Sequence, residues 1–387
     1  MTTLRNKVAL VGAGMIKFGE LFDKSFEDMM SEAYMACLKS IDKGIDPQKD
    51  IQAGWYGTVY GPRTGAILAE NLGLAGLPAT RIENACTTGS DILRNACFAV
   101  ASGIYDTALV LGCEKMTDMP GGLIEVAKQR SQLSWQYAVT MPSAFGLYAS
   151  RHMYEFGTTR EQLAEIAVKN HKHGTLNPYS HFRFEVTVEQ VLNAPLVAWP
   201  FGLLDCCPVT DGAAALIITK SEIAKRYTDS PVYIQGSGFS SQPEKINMRQ
   251  TFTTMAPTVG ASQQAYKMAG VEPKDIDFAE VHDCFTGTEL ISYEDLGFCK
   301  KGEGGKFIDE GIPYIGGAKP INPSGGLKSH GHPVGATGSA QIVELFLQLR
   351  NQAGDRQVKG AEIALQHNIG GAGPQVSCVH ILSNKLL

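Results

Sequence analysis

One cysteine stands in a segment that could support nucleophilic chemistry. Cys86 lies in the run Asn84-Ala-Cys-Thr-Thr-Gly-Ser90, directly before an apolar helical pattern from Ile92 to Val100. A thiol at a helix N-terminus faces unpaired backbone N–H groups and the positive end of the helix dipole, which favour the thiolate and lower the pKa. The segment alone does not separate a nucleophile from a structural cysteine, because free cysteines are among the most buried residues.

Two histidine segments could assist such a thiol. His332 lies in the glycine-rich turn Gly331-His-Pro-Val-Gly-Ala-Thr-Gly338, and an imidazole in a tight loop can deprotonate a neighbouring thiol. The cluster His282-Asp-Cys-Phe285 follows a predicted strand over Ile276 to Val281, at the end where α/β proteins place functional groups. It supplies a second imidazole and, in Cys284, a second thiol.

A glycine-rich turn near the C-terminus could bind an oxyanion. The run His367-Asn-Ile-Gly-Gly-Ala-Gly373 follows the strand-like segment that begins at Glu362. Backbone N–H groups in such a turn can stabilise a negative oxygen, although many glycine turns only reverse the chain. The sequence therefore leaves the role of this turn open.

Nucleotide and metal chemistry have weaker support. Gly12 and Gly14 fit a dinucleotide-binding fingerprint, but Lys17 stands at the third glycine position, and the chain has no Walker motif. The adjacent pair Cys206-Cys207 lacks the Cys-x-x-Cys spacing of a metal site and is interpreted as packing. We predict no bound metal.

Composition indicates an α/β protein that has reduced thiols and is too long for one simple core. The chain has 387 residues, of which 19% are charged and 44% hydrophobic, with 42 glycines. A net charge of −5 without a Lys/Arg run argues against nucleic acid or an anionic membrane as partner. There is no long apolar stretch and no signal-peptide pattern. The nine cysteines have no framework spacing, which favours reduced thiols and a cytoplasmic location.

The sequence contains an internal repeat. Apolar runs ending in glycines begin both halves, at Val8-Ala-Leu-Val-Gly-Ala-Gly14 and Val232-Tyr-Ile-Gln-Gly-Ser-Gly238. Later in each half, Cys86-Thr-Thr-Gly-Ser90 and Gly335-Ala-Thr-Gly-Ser339 precede helical patterns that lead into strands. Strands that alternate with helices in two copies predict two similar α/β halves.

The predicted halves span residues 1–225 and 226–387, and the first carries an insertion over about 116–200. Within the insertion, Thr158-x-x-Glu161 fits the capping box of a helix through His171. An insertion of this length outside a repeat is more often functional than decorative, so it is expected to contribute to the site.

These segments resemble the thiolase family, most closely its sterol-carrier-protein-type branch. The matching motifs cover nearly the whole chain: Asn84-Ala-Cys86, Lys169-Asn-His-Lys-His173, Asn177-Pro-Tyr-Ser180, His282-Asp-Cys-Phe285, Gly331-His-Pro-x-Gly-Ala-Thr-Gly338 and His367-Asn-x-Gly370. The resemblance implies an α/β thiolase fold of five layers, α-β-α-β-α. Two βαβαβαββ halves and an inserted loop domain would build it.

The resemblance also implies a role for each matched residue. Cys86 would take the acyl group as a thioester, and His332 would be the base that activates it. His282 and His332 would together bind the thioester oxygen of the enolate-forming partner. The backbone N–H groups of Cys86 and Gly370 would form a second oxyanion hole around the acyl carbonyl.

One departure from the family pattern concerns the second catalytic cysteine. Many thiolases carry it near the C-terminus, where this chain has Asn368. In the sterol-carrier-type branch the cysteine of His-Asp-Cys-Phe does the acid/base work, which implies Cys284 here. The implied reaction is cleavage of a 3-oxoacyl-CoA by CoA, or the reverse Claisen condensation, with CoA as co-substrate and no covalently bound cofactor.

The resemblance further implies a homodimer or homotetramer that binds acyl-CoA and CoA. Some relatives of this length also bind a small zinc-ribbon/OB-fold subunit, and benzoylsuccinyl-CoA thiolase among them implies an aromatic acyl group. Two alternatives remain: a carbon–carbon lyase or hydroxymethylglutaryl-type synthase on the same fold, and a non-catalytic acyl-CoA-binding subunit. Retention of Cys86 argues against the aldolase branch, and the complete set of cysteines and histidines argues against an inactive subunit.

Overall fold

A computed structural model describes residues 4–119, 140–243 and 245–387. Eleven strands are present in this part of the chain: β1 (Val8–Met15), β2 (Ala53–Gly57), β3 (Ala79–Ile82), β4 (Thr107–Glu114), β5 (Leu196–Ala198), β6 (Phe201–Gly202), β7 (Gly212–Lys220), β8 (Val232–Ser241), β9 (Phe278–Glu280), β10 (Ile363–Gly370) and β11 (Val376–Ser383). Nine of them form one mixed sheet in the order β3-β2-β4-β7-β1-β8-β11-β10-β9.

The same part of the chain has twelve α-helices: α1 (Phe26–Lys39), α2 (Pro47–Asp50), α3 (Ala66–Asn71), α4 (Thr88–Ala101), α5 (Met141–Phe156), α6 (Arg160–Thr175), α7 (Val188–Asn193), α8 (Ala256–Ala269), α9 (Thr286–Asp295), α10 (Gly304–Asp309), α11 (Gly326–His330) and α12 (Thr337–Leu349). A capping box precedes α1, since Ser25 and Asp28 each accept a hydrogen bond from the other's backbone N–H.

The two ends of the sheet repeat one topology. The order β1-β7-β4-β2 in the first half corresponds to β8-β11-β10-β9 in the second, and the halves join where β1 pairs with β8. In the first half β3 continues the sheet beyond β2. At the equivalent place beyond β9 the described residues form only an isolated parallel bridge, between Ala279 and Ile321. Pro320 and Pro323 flank Ile321, and proline cannot donate to a ladder, which accounts for the missing strand.

Helices lie on both sides of the sheet, as the predicted fold requires. The central helices α4 and α12 contact each other, and each contacts strands from both halves. On the outer faces, α1 packs on β1, β4 and β7, and α8 packs on β8 and β11. These contacts agree with the central and outer helix layers of the predicted succession α-β-α-β-α.

The two central helices approach each other closely at glycines. A Cβ on Gly89 would lie 2.8 Å from the backbone nitrogen of Gly338, and one on Gly338 would lie 2.3 Å from that of Ser90. Only glycine allows this approach. Because both glycines belong to the repeated Thr-Gly-Ser motifs, the repeat brings the N-termini of α4 and α12 together, with Cys86 and His332 just before them.

The described part of the insertion contains α5, α6, α7 and the β5–β6 hairpin. Its predicted capping box is wrong by one residue, because Thr159 and Gln162 cap α6. The hydroxyl of Thr158 instead lies 2.8 Å from Nδ1 of buried His152. Residues 120–139 of the predicted loop domain lie outside the described residues, as do residues 1–3 and 244. The predicted boundary at residue 225 falls in a short 3₁₀ turn, Ser221–Arg226.

Candidate active site

Four of the predicted site residues line one cavity: Cys86, His282, Cys284 and His332. The other walls are mainly apolar, with Met141 and Phe145 of α5 from the insertion, and with Val59, Phe285, Val334 and Ile369. Gly370 is not part of the lining, whereas its neighbour Gly371 is. The structure therefore gathers both thiols and both imidazoles around a space enclosed largely by hydrocarbon.

A strained turn presents Cys86 at the cavity wall, where the residue is partly exposed. Ala85 has φ of +49°, in the left-handed region that residues with a Cβ seldom adopt. The carbonyl of Ala85 accepts hydrogen bonds from the backbone N–H and hydroxyl of Thr88, at 3.0 and 2.6 Å. Glu83 accepts from the Ala85 N–H at 2.6 Å. These bonds hold the turn that leads from β3 into α4.

The expected lowering of the Cys86 pKa is wrong. Although the residue as a whole is partly exposed, burial around its sulfur raises the pKa of this thiol to about 12, and the Glu114 carboxylate adds to the rise, while the backbone N–H of Gly371 acts against it. Burial also lowers the pKa of His332 to about 3. Desolvation outweighs the helix N-terminus here. At neutral pH the cavity therefore holds a Cys86 thiol and a neutral His332 imidazole, so the nucleophile forms only when a base takes the thiol proton.

Alkylation of Cys86 by iodoacetamide tests this resting state. Below its pKa a thiol gains about tenfold in thiolate per pH unit, so we expect the rate to rise steadily from pH 7 to pH 10. Mass spectrometry of the Cys86 peptide measures the rate, and Cys299 outside the cavity, whose pKa burial also raises to about 12, should show the same dependence on pH. A rate that levels off below pH 8 would instead show a preformed thiolate–imidazolium pair.

The hydrogen bonds of His332 identify its free nitrogen. Thr337 Oγ1 donates its single proton to the Pro333 carbonyl at 3.0 Å and lies 2.8 Å from His332 Nδ1. The hydroxyl must therefore accept from Nδ1–H. In the neutral ring this leaves Nε2 with a lone pair, as a base requires.

Glu114 holds loops on two sides of the cavity. Its Oε1 accepts from the Thr58 hydroxyl and the Tyr60 N–H, at 2.8 and 3.0 Å. Its Oε2 accepts from the N–H groups of Val59 and Gly335, at 2.8 and 3.0 Å. Burial raises the pKa of this carboxyl to about 6 despite these four donors. The side chain thus connects the histidine loop before α12 to the cavity wall, a role that no sequence motif indicated.

The His-Asp-Cys-Phe segment is supported by buried polar groups. Asp283 accepts from the backbone N–H groups of Leu327 and Lys328, at 2.6 and 3.1 Å, and from Asn170 Nδ2 at 2.7 Å. Burial and the nearby Glu289 carboxylate raise the pKa of Asp283 to about 7. Asn170 belongs to α6, so the polar motif of the insertion fixes the segment that carries His282 and Cys284.

Cys284 is buried, and its sulfur lies 3.9 Å from the Thr288 hydroxyl. Burial raises the pKa of this thiol well above its ordinary value. The carbonyl of Cys284 accepts a hydrogen bond from the N–H of Cys207 at 2.9 Å, and Cys207 also lines the cavity. Interpreting the Cys206-Cys207 pair as packing missed this third thiol, for which the sequence held no specific signal.

A second, more open cavity adjoins the first. The two share Met141, Cys207 and Phe285, and the second also includes the strongly exposed side chains of Phe22 and Leu203.

Within residues 4–119, 140–243 and 245–387 no group of His, Cys, Asp and Glu could hold a metal ion. None of the helices described is long and apolar enough to cross a membrane.

Comparison with known proteins gives the same family over the whole chain. The acetyl-CoA acetyltransferase of Methanothermobacter thermautotrophicus is 45% identical, over 97% of this chain and 99% of the relative. Sterol carrier protein 2 of Bos taurus is 38% identical, over 96% of this chain and 72% of the relative. The benzoylsuccinyl-CoA thiolase subunit BbsB of Thauera aromatica is 36% identical, over 95% of this chain and 96% of the relative.

Among solved structures, one described as an Ltp2-ChsH2(DUF35) aldolase matches with a TM-score of 0.87 and 25% identity over all of both chains. Family models for the thiolase N-terminal domain and the thiolase C-terminal domain match residues 8–222 and 238–384. The predicted resemblance and fold class are confirmed by these matches. The chain belongs to the thiolase family and is an acyltransferase of that family.

Proposed function

We propose that this thiolase cleaves a 3-oxoacyl-CoA with CoA, or runs the reverse condensation, through an acyl-enzyme on Cys86. The observation that carries the proposal is the convergence of Cys86, Cys284, His282 and His332 on one largely apolar cavity. A carbon–carbon lyase that lacks an acyl-enzyme would have no use for a thiol at the N-terminus of α4.

In the first half-reaction His332 Nε2 takes the proton of Cys86, and the thiolate attacks the 3-oxo carbon of the substrate. The Cα–Cβ bond breaks, the acyl group stays on the sulfur, and the electron pair leaves as the enolate of the shortened CoA thioester. Cys284 gives its proton to the enolate carbon. Protonated His332 and His282 face the enolate oxygen, and a preorganised donor at such a position contributes about 3–4 kcal/mol.

In the second half-reaction CoA gives its thiol proton to the Cys284 thiolate and attacks the acyl-enzyme. The C–S bond to Cys86 breaks, the new acyl-CoA leaves, and His332 returns its proton to the sulfur. We assign the acyl oxyanion hole to the N–H of Cys86 and the Gly370-Gly371 turn. In support, the Gly371 N–H faces the Cys86 sulfur and lowers its pKa.

The extended CoA thioester needs a path to the cavity, and we propose the adjoining open cavity between Phe22 and Leu203. It meets the reaction cavity at Met141, Cys207 and Phe285, so the thioester arm could reach Cys86 by this route.

For the acyl group we propose acetyl, because the acetyl-CoA acetyltransferase is more similar to this chain than the benzoylsuccinyl-CoA thiolase subunit.

A partner subunit is a separate proposal. A DUF35 protein is named in one matching structure, and the aromatic relative is named as a subunit. These names support a small zinc-ribbon/OB-fold partner for this chain. The homodimer or homotetramer and the cytoplasmic location stay predictions.

Thiolysis of two substrates tests the proposed function. Purified enzyme is mixed with CoA and either acetoacetyl-CoA or benzoylsuccinyl-CoA, and the CoA products are separated by chromatography. We expect acetyl-CoA from the first and slower turnover of the second. Faster turnover of the aromatic substrate would reverse the substrate assignment, and cleavage of either one without consumption of free CoA would identify a lyase instead.

A further inference from the structure

A buried chain of amide side chains connects His282 to the centre of the fold. Asn368 Nδ2 lies 2.9 Å from His282 Nδ1 and donates to Gln341 Oε1 at 3.2 Å. Gln366, two residues before Asn368 on β10, donates to the same Gln341 oxygen at 2.7 Å and to the Ser90 hydroxyl at 2.8 Å. All five side chains are buried.

One backbone carbonyl fixes which amide groups donate and which accept in this row of side chains. Gln341 Nε2 donates to the carbonyl of His367 at 3.4 Å, and a carbonyl can only accept. Oε1 of Gln341 is therefore the acceptor that faces Asn368. The reverse orientation of Asn368 would place two oxygens 3.2 Å apart. The amide nitrogen of Asn368 is thus held toward both partners.

The consequence for His282 follows from its proton count. Burial lowers the pKa of His282 well below its ordinary value, and His332 and His367 lower it further, so the ring carries a single proton at neutral pH. Because Asn368 Nδ2 donates to Nδ1, Nδ1 must hold the lone pair and Nε2 must hold that proton.

The two cavity imidazoles therefore have opposite tautomers. Their ring centroids lie 5.1 Å apart with planes at 82°. His332 is protonated on Nδ1 by its contact with Thr337, which leaves Nε2 free as a base. His282 instead keeps its proton on Nε2, as a donor to an enolate oxygen requires.

We propose that Asn368 is a positioning residue for the reaction, and that with Gln341 it holds His282 in the tautomer that donates from Nε2. This inference rests on the proposed thiolase chemistry for its catalytic meaning, but the tautomer itself does not. Asn368 stands where many thiolases have their second catalytic cysteine, so the position keeps a role in the site after losing its thiol.

Nuclear magnetic resonance of protein labelled with ¹⁵N-histidine tests the tautomer without substrate. We expect the His282 ring to show a protonated Nε2 and an unprotonated Nδ1, with the signals assigned by their loss in His282→Gln. The His332 ring should show the opposite pattern. A wild-type His282 ring protonated on Nδ1 would overturn the proposal, whatever the enzyme's activity.

Asn368→Asp tests the link to catalysis. A carboxylate only accepts, so it should move the His282 proton to Nδ1 and lower kcat by about 10²–10³-fold, with little change in KM, because the donor acts mainly in the transition state. Exposed Asn193→Asp is the matched control and should change neither readout. A loss of kcat with the wild-type tautomer intact, or a changed tautomer with full kcat, would refute the role.

Gln341→Leu provides a second variant if Asn368→Asp does not fold. It keeps Asn368 but removes the acceptor that orients the amide, so both His282 tautomers should appear. A single Nε2–H tautomer in this variant would show that Gln341 has no orienting role and would overturn that part of the proposal. If the wild-type enzyme showed no thiolysis, by contrast, the proposed function would be wrong and the tautomer result would be unaffected.

Discussion

Replacing Cys86 by alanine is expected to abolish thiolysis, with a loss of roughly 10⁴-fold or more in kcat, as for other enzymes that lose a covalent nucleophile. Without the thiol, His332 has no proton to take and the acyl group has no atom to bind. The variant should also gain no acetyl mass when it is mixed with acetyl-CoA. Intact-protein mass spectrometry and the thiolysis assay measure the two effects.

The control for this variant is Cys299→Ala, which removes a partly exposed thiol outside the cavity. It should keep both acetylation and turnover. The fold of Cys86→Ala should survive, because the residue is partly exposed and alanine fits its turn. If a folded Cys86→Ala protein still turned over at the wild-type rate, the nucleophile would have to be Cys284 or Cys207, the other thiols that line the cavity.

The repeat in the sequence was sufficient to predict two similar α/β halves, whereas the five-layer arrangement was implied by the family resemblance. Periodic apolar runs and capping signals depend on local chemistry, and the Thr-Gly-Ser motifs at the N-termini of α4 and α12 also predicted that two equivalent helices exist. The close contact between these two helices at Gly89 and Gly338 is possible because neither residue has a Cβ. The strand missing around Ile321 was not anticipated, because its two flanking prolines act against a pattern that the repeat otherwise favours.

The reactive side chains of the site could be predicted from the sequence, whereas properties that depend on the surrounding fold could not. Motifs located Cys86, His282, Cys284 and His332, which line one cavity. The protonation state of Cys86 was mispredicted because a helix N-terminus can be recognised in a sequence but the enclosure that desolvates the thiol cannot. Glu114 also escaped notice, since its four donors come from segments that are distant in sequence.

Replacing Cys284 by alanine is expected to separate the two parts of the reaction. Acyl transfer from acetyl-CoA to Cys86 needs only a thiol as leaving group, and a thiol with a pKa of about 8.5 can leave as the anion. Removing a proton from the α-carbon of the second thioester needs a positioned base. The variant should therefore still gain acetyl mass but lose about 10²–10⁴-fold in cleavage and condensation.

The sharpest readout for Cys284 is exchange of the α-hydrogens of acetyl-CoA with deuterium from solvent, because exchange requires proton transfer at carbon but no carbon–carbon bond. Wild-type enzyme should catalyse this exchange, and Cys284→Ala should not. Cys207→Ala is the matched test, since its thiol lines the same cavity and its N–H donates to the Cys284 carbonyl. If exchange were lost in Cys207→Ala and kept in Cys284→Ala, the carbon acid/base would be Cys207, and the family-based assignment of Cys284 would be wrong.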